Sequence, residues 1–177
     1  IFVGDENFRK KQFIPVHTVP TVISNYYLTE FWGYTDNGVS QLAANHPLSV
    51  VFPNGQMTQV HTVARPAQGG PALSYYYLGN ENEAPSLQTV ALTETTSSGD
   101  DIGDVIAIAE PGAQLFDGRT QQAKMCYFGI VESDYWTNSA KNLFNNCVGF
   151  VLAQCVSNAD CPEPFFFDEP FCQSGDV

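Results

Sequence analysis

The sequence predicts an α/β fold in which a mixed or mostly parallel sheet is covered on both faces. Three runs, residues 16–25, 105–112 and 125–130, are apolar throughout rather than alternating, which is typical of strands buried on both faces. Residues 137–154 place apolar side chains at i, i+3, i+4 and i+7 behind a candidate N-cap, Thr137, which predicts an amphipathic helix. We expect the last two strands to be neighbours and the helix to pack on one face of the sheet.

The remaining elements are shorter. Residues 26–32 are consistent with a short helix that ends at Gly33, and residues 56–63 alternate with period two after the turn signal Asn54-Gly55, which predicts a hairpin. Residues 64–86 are rich in Gly, Pro and Asn and predict a long loop. A further strand is expected over residues 87–95.

Length and charge limit the classes of function. The chain has 177 residues, 44% of them apolar, which is enough for one domain with a core. Its net charge is −12 with only seven Lys and Arg, which argues against nucleic acid and anionic membrane surfaces as partners. No apolar run reaches membrane-spanning length. The chain begins at Ile1 without a visible signal peptide, so we expect either a removed leader or a piece of a longer protein.

Cysteine usage indicates an oxidising compartment, and hence a secreted or cell-surface location. The five cysteines are Cys126, Cys147, Cys155, Cys161 and Cys172, and the odd number leaves at least one free or paired outside this chain. Their spacing is not CxxC and the histidines lie far upstream, which argues against zinc. The last strand and the helix packed on it bring Cys126 near Cys147, so we predict that they pair. Alternatively, both are small buried apolar residues.

Four short motifs resemble a known family. "NHPL" at 45–48, "AEPGA" at 109–113, "CYFGI" at 126–130 and "WTNSAKNLFNNCVGFVL" at 136–152 occur in the order seen in a flavodoxin-like domain. That domain is related to class I glutamine amidotransferases and ThuA-like proteins, and occurs in prokaryotic secreted and cell-surface proteins. The resemblance implies a flavodoxin-like sheet over residues 1–154 that lacks its N-terminal βαβ part. A Cys- and Pro-rich tail, residues 155–177, would follow.

The resemblance does not extend to the family's chemistry. Amidotransferase activity needs a cysteine on a sharp strand-to-helix turn, with a histidine and a carboxylate beside it. No cysteine precedes Cys126, and neither GxCxG nor GxSxG occurs. Glu132, Ser133 and Asp134 follow the last strand, where open α/β sheets bind ligands, and two acids there could do acid–base work. We interpret the turn as structural instead, because the dipole of the next helix favours negative charge near its N-terminus.

Metal and histidine chemistry give weaker signals. The turn "SSGDDIGD" contains three carboxylates that form a candidate calcium site, those of Asp100, Asp101 and Asp104. The alternative is that this is a solvated acidic turn without a metal. No other cofactor is expected. His46, before Pro47, is interpreted as structural, and His17 and His61 have no partner that the sequence reveals.

Aromatic side chains cluster in two predicted loops, at Tyr75–Tyr77 and at Phe165, Phe166, Phe167 and Phe171. Such clusters usually cover a core edge or contact a partner. The tail "CVSNADC" resembles short segments of secreted cysteine-rich modules in which alternate cysteines pair. That resemblance implies a Cys155–Cys172 disulfide. We predict that Phe165–Phe167 are buried, either against residues 1–154 or against another subunit.

These observations favour a non-catalytic extracellular module that works in a larger cell-surface or filamentous assembly, through a protein partner or self-assembly. A hydrolase or amidotransferase-like enzyme is one alternative, and a deep pocket holding Glu132 or Asp134 beside a histidine would favour it. A carbohydrate-binding module that uses the loop aromatics is another alternative.

Overall fold

The computed structural model describes residues 1–67, 69–79, 82–94 and 103–153. Over those residues it contains nine β-strands and one α-helix. The elements, in chain order, are β1 (Phe2–Val3), β2 (Thr21–Ile23), β3 (Ser40–Ala43), β4 (Ser49–Val51), β5 (Met57–Gln59), β6 (Ser74–Gly79), β7 (Gln88–Thr93), β8 (Gly103–Ala109), β9 (Met125–Phe128) and α1 (Asn138–Leu152). Single 3₁₀ turns occur at Lys11–Phe13 and Ser133–Tyr135.

The sheet is mixed but mostly antiparallel. Its strand order is β1-β2-β9-β8-β7-β4-β5, with β6 pairing to both β3 and β8. Only β1, β2 and β9 run parallel to one another. The last two predicted strands are neighbours as expected, with Ile108 opposite Cys126, but they are antiparallel. The predicted flavodoxin-like, parallel α/β fold is therefore wrong.

The error has a physical cause in how the sheet is covered. Neighbouring residues of β9 alternate between two apolar clusters: Cys126 and Phe128 face α1, while Met125 and Tyr127 face the opposite side. Burial on both faces was therefore predicted correctly. On the second face, however, loops that carry Trp32 and other apolar side chains take the place of helices. An apolar run specifies that both faces are buried, but not the direction of the neighbouring strand.

Among the local predictions, the turn at Asn54-Gly55 was confirmed, whereas the short helix and the long loop were wrong. Asn54-Gly55 does form the turn between β4 and β5, with Gly55 at φ 83°. Residues 26–32 form turns rather than a helix, although the segment does close at Gly33, which has φ 76°. The predicted loop over residues 64–86 contains β6, so Tyr75–Tyr77 are strand residues.

The helix packs on the sheet through the predicted disulfide. Thr137 is the N-cap, and its hydroxyl accepts a hydrogen bond from the backbone N–H of Ala140 at 3.1 Å. The buried face of α1 carries Ala140, Leu143, Cys147, Phe150 and Val151. Cys147 is bonded to Cys126 of β9, which confirms that pairing. The covalent bond therefore lies inside the core between the helix and the sheet.

Gly129 lies where β9 ends and β6 continues along the same edge of β8. Its carbonyl accepts from the N–H of Tyr76 at 2.9 Å, and its N–H donates to the carbonyl of Val105 at 2.8 Å. A Cβ at this position would stand 1.8 Å from the Tyr76 carbonyl oxygen, far inside van der Waals contact. Two strands can therefore share one edge of β8 only because residue 129 has no side chain.

Removing the disulfide should lower stability substantially. The bond closes a loop with a sequence separation of 21. The double substitution C126A/C147A is expected to reduce the free energy of unfolding by about 3 kcal/mol, because the unfolded chain regains the entropy of the open loop. Urea denaturation measures the loss. Reductant should destabilise the unsubstituted protein by a similar amount, and any further effect on C126A/C147A would come from the other cysteines. Equal stability of the two oxidised proteins would contradict the prediction.

Substituting Gly129→Ala should disrupt the fold far more than a methyl group normally does. We expect a loss of at least about 3 kcal/mol, because backbone on both sides must move to admit the Cβ. Gly4→Ala is the matched control, since its Cβ would meet only two Phe2 ring carbons, at 3.5 and 4.0 Å. Thermal unfolding of the two variants checks the difference, and a similar midpoint for both would show that the junction can relax.

Candidate functional site

The carboxyl ends of the parallel strands β1, β2 and β9 meet at one edge of the sheet, and a polar loop follows each. Asn25, 1% exposed, joins the first two loops, because its side-chain amide donates to the carbonyls of Gly4 and Glu6 at 2.7 and 2.8 Å. Its side-chain oxygen accepts from the N–H of Leu28 at 3.0 Å. The loops at this edge are thus fixed by hydrogen bonds to one buried side chain.

Three tyrosines form a stack at this edge. The ring of Tyr26 lies 3.9 Å from that of Tyr76 at an interplanar angle of 10°, and 4.0 Å from that of Tyr27 at 34°. Two rings this near to a third ring cannot both lie on the same face of it, so Tyr26 lies between Tyr76 and Tyr27. Tyr27 is therefore the outer member, and it is 50% exposed. Its free face is a flat, accessible aromatic surface.

Carboxylates lie near this stack, with Asp5 and Glu6 close enough to act on its tyrosines. Burial raises the pKa of Asp5, and the nearby charges of Glu6 and Glu132 raise it further. Like charges held together favour the protonated form of an acid, or the approach of a cation. We call this surface the tyrosine–acid edge, defined by Asp5, Glu6, Tyr26, Tyr27, Tyr76 and Glu132.

A buried hydroxyl belongs to the same region. Tyr127 is 1% exposed, and its hydroxyl makes no hydrogen bond within the described part of the chain. Burial raises the pKa of Tyr127, with smaller contributions from Asp5 and Tyr76, so the hydroxyl is close enough to respond to both. A buried polar group without a partner costs about 1–3 kcal/mol. A neutral hydroxyl, which can donate a hydrogen bond, therefore lies in the protein interior beside the tyrosine–acid edge.

The turn after β9 holds the residues that the sequence singled out. Glu132, Ser133 and Asp134 are all exposed, and Glu132 is left-handed with φ 60°, the one non-glycine residue with positive φ in the described chain. Such backbone strain persists only where surrounding structure enforces it. Below the turn, the carbonyl of Val131 accepts hydrogen bonds from the Trp136 indole at 2.9 Å and from His61 Nε2 at 3.1 Å.

His61 is not placed for catalysis. It is fully buried, and its Nε2 proton is committed to the carbonyl of Val131. Burial lowers the pKa of His61, against smaller opposing effects of that hydrogen bond and of the Glu132 charge. The histidine beside Glu132 is thus enclosed by protein.

The other histidines also have partners that the sequence did not reveal. His17 Nε2 donates to the carbonyl of Trp32 at 2.8 Å. The side chain of His46 is 63% exposed, and its Nε2 lies 2.5 Å from Oε1 of Glu94. The other oxygen of Glu94 accepts from the N–H of Ser49 at 2.8 Å, which fixes the carboxylate. The interpretation of His46 as structural fits this hydrogen-bonded pair.

The tyrosine triplet divides between core and surface. Tyr75 and Tyr77 are buried in the cluster that faces α1, while Tyr76 points to the opposite side and joins the stack. Strand alternation explains this division, since neighbouring side chains on β6 face opposite ways. Sequence reasoning missed the contribution of Asp5, Tyr26 and Tyr27. Their signal was the polar and aromatic residues that directly follow two apolar strands.

Several predicted site residues lie outside the described residues. These are Asp100 and Asp101 of the candidate calcium turn, Cys155, Cys161 and Cys172, and the tail aromatics Phe165, Phe166, Phe167 and Phe171. The third calcium candidate, Asp104, lies on β8 and is fully buried beside Glu83. The division into residues 1–154 and a tail stays a prediction.

No family model, curated protein or solved structure matches this chain. In the described residues, none of the helical structure is long and apolar enough to cross a bilayer.

Burial of His61 should make stability depend on pH. The folded state resists protonation of this lowered-pKa group, whereas the unfolded state takes up a proton below about pH 6.5. The contribution of His61 is therefore fully present above that pH. It is lost as pH falls toward the folded pKa, by at most about 1.4 kcal/mol per pH unit.

Thermal unfolding of the unsubstituted protein and of His61→Gln between pH 8 and pH 5 checks this dependence. The glutamine amide can still donate to the Val131 carbonyl but does not titrate. We expect the difference between the two proteins to be constant above pH 7 and to shift in favour of His61→Gln below it. Parallel curves over the whole range would refute the assignment.

Proposed function

We propose that this protein is a non-catalytic extracellular interaction module that binds a basic segment of a protein partner at the tyrosine–acid edge. The observation that carries the proposal is the exposed outer ring of the tyrosine stack, near the interacting carboxylates of Asp5, Glu6 and Glu132. Cell-surface or secreted location is part of the proposal, and the Cys126–Cys147 disulfide supports it.

An arginine side chain satisfies the chemistry of this edge. Its planar guanidinium stacks on an aromatic face and donates paired hydrogen bonds to carboxylates. If the guanidinium stacks on the outer face of Tyr27, the N–H groups at its edge stay available to the nearby carboxylates. A cation on an exposed aromatic ring contributes about 0.5–1 kcal/mol, and more when the contact excludes water. Several such contacts are needed for a stable complex, which favours a segment with more than one basic residue.

The overall charge favours the same class of partner. A net charge of −12 attracts a basic segment at long range and accelerates its association. The strained turn at Glu132 presents a carboxylate at the edge on a fixed backbone. Preorganised groups lose less entropy on binding than mobile ones do.

A carbohydrate is the second candidate ligand, and one observation favours it. The free face of Tyr27 is flat and exposed, and carboxylate oxygens accept hydrogen bonds from hydroxyl groups. The surrounding negative charges do not attract a neutral sugar, so salt should barely affect the affinity for the sugar. Salt should weaken the binding of a basic peptide strongly, because exposed charges are screened.

Calorimetric titration with the peptide Gly-Arg-Gly-Arg-Gly, and separately with cellopentaose, tests the proposal. We expect the peptide to bind and its affinity to fall between 50 and 500 mM NaCl. Tyr27→Ala should weaken binding about threefold to tenfold, because it removes the stacking face without changing charge. Phe13→Ala is the matched control, since Phe13 is an exposed aromatic outside the edge.

A charge-matched pair separates a specific site from general attraction. Glu132→Gln and Glu30→Gln each remove one exposed carboxylate. The first should weaken peptide binding more than the second. Equal effects, or equal effects of Tyr27→Ala and Phe13→Ala, would show that the peptide binds by net charge alone. Binding of cellopentaose without the peptide would instead support the carbohydrate candidate.

A further inference from the structure

Two carboxylates meet inside the protein near the N-terminal end of β8. Asp104 is 0% exposed and lies in the middle of the sheet, opposite Leu78 on β6 and Leu92 on β7. Glu83 is half-buried, and its backbone N–H donates to the carbonyl of Gly79 at 2.9 Å, which brings the residue back over the end of β6. We propose that Glu83 and Asp104 bind a divalent cation, with Ca²⁺ as the ion that their chemistry fits.

Three oxygens of this pair have no donor within hydrogen-bonding geometry among the described residues. Both carboxylate oxygens of Asp104 and Oε2 of Glu83 are buried and make no hydrogen bond with any described residue. Native proteins satisfy nearly all such atoms, and a buried carboxylate without a partner is especially costly. Three unsatisfied oxygens on two interacting acids indicate a group that binds them.

The charges of the pair require compensation as well. Burial raises the pKa of Glu83, and the neighbouring Asp104 raises it further, whereas no basic side chain of the described residues contributes to either carboxyl group. A cation between the two acids would replace repulsion by attraction. The two acids lie at the end of the sheet where β6 and β8 pair through Gly79 and Gly103, so they are held by backbone pairing rather than by an exposed loop.

The oxygen ligands favour calcium over a transition metal. Ca²⁺ takes carboxylate, hydroxyl, carbonyl and water oxygens, and adapts to irregular geometry. Thr89 lies close enough to Asp104 for its hydroxyl to lower the pKa of that acid, although burial has the larger, opposite effect, and Thr89 is exposed. Exposed Thr89 and half-buried Glu83 therefore place the pair close to the protein surface.

The number of ligands limits the affinity. No group of three or more His, Cys, Asp or Glu side chains suited to a metal occurs in the described ranges, so two carboxylates must act with hydroxyl, backbone or water oxygens. Few charged ligands place the site in the weak class typical of extracellular modules, with a Kd of about 0.1–1 mM. Such a site fills at extracellular calcium concentrations.

Thermal unfolding of the full chain, first freed of metal with a chelator, tests this site in 10 mM CaCl₂ against about 30 mM NaCl, which has the same ionic strength. Calcium should raise the midpoint of the unsubstituted protein by about 4–8 °C. Glu83→Gln and Asp104→Asn should lose that rise. Glu30→Gln and Asp134→Asn, which alter exposed acids elsewhere, should keep it. Calorimetry should give one Ca²⁺ per chain.

Three results would overturn the site. They are no calcium-dependent rise in the unsubstituted protein, an undiminished rise in Glu83→Gln, or the same loss in the two control variants. The first would mean that the pair shares a proton instead. If Asp104→Asn fails to fold, Glu83→Gln decides alone, because Glu83 is only half-buried. None of these measurements involves the tyrosine–acid edge, so the two proposals stand or fall separately.

Discussion

The burial of β8 on both faces is the constraint on which the rest of the structure depends. Every residue from Gly103 to Ala109 is buried, and the strand pairs with β7 on one edge and with β9 and β6 on the other. A strand of this kind is stable only if apolar groups cover both faces and if both edges are hydrogen-bonded. One helix can cover one face. The chain must supply the second cover from its loops.

Covering a sheet with loops brings backbone polar groups into the interior, and buried amide side chains satisfy them here. Gln121 is fully buried, and its amide donates to the carbonyls of Val16 and Ala123 at 3.1 and 2.8 Å. Its oxygen accepts from the Tyr34 hydroxyl at 3.1 Å. Asn25 does the same at the carboxyl edge of the parallel strands. Such residues replace the internal hydrogen bonds that a covering helix would make for itself.

The same arrangement explains where functional chemistry can occur. The three parallel strands end together, so three loops meet there and their polar side chains gather at one edge. Near the N-terminal end of β8, the chain places Asp104 in a sheet position that is normally apolar, next to Glu83. Each region keeps polar atoms that the described fold does not satisfy: the Tyr127 hydroxyl at one, and the carboxylate oxygens at the other.

Sequence alone determined the features that depend on neighbouring residues: the Thr137 cap and its helix, the Asn54-Gly55 turn, and the strands whose unbroken apolar character requires two covered faces. The Cys126–Cys147 bond could also be predicted, since a strand and its following helix pack together. Tertiary structure decided the antiparallel direction of β8 and β9, the loops on the second face, the Tyr76–Tyr26–Tyr27 stack and the Glu83–Asp104 pair. An apolar run indicates that a strand is buried but not which elements cover it. Residues about fifty positions apart, such as Tyr26 and Tyr76, come into contact only when the register of the whole sheet is set.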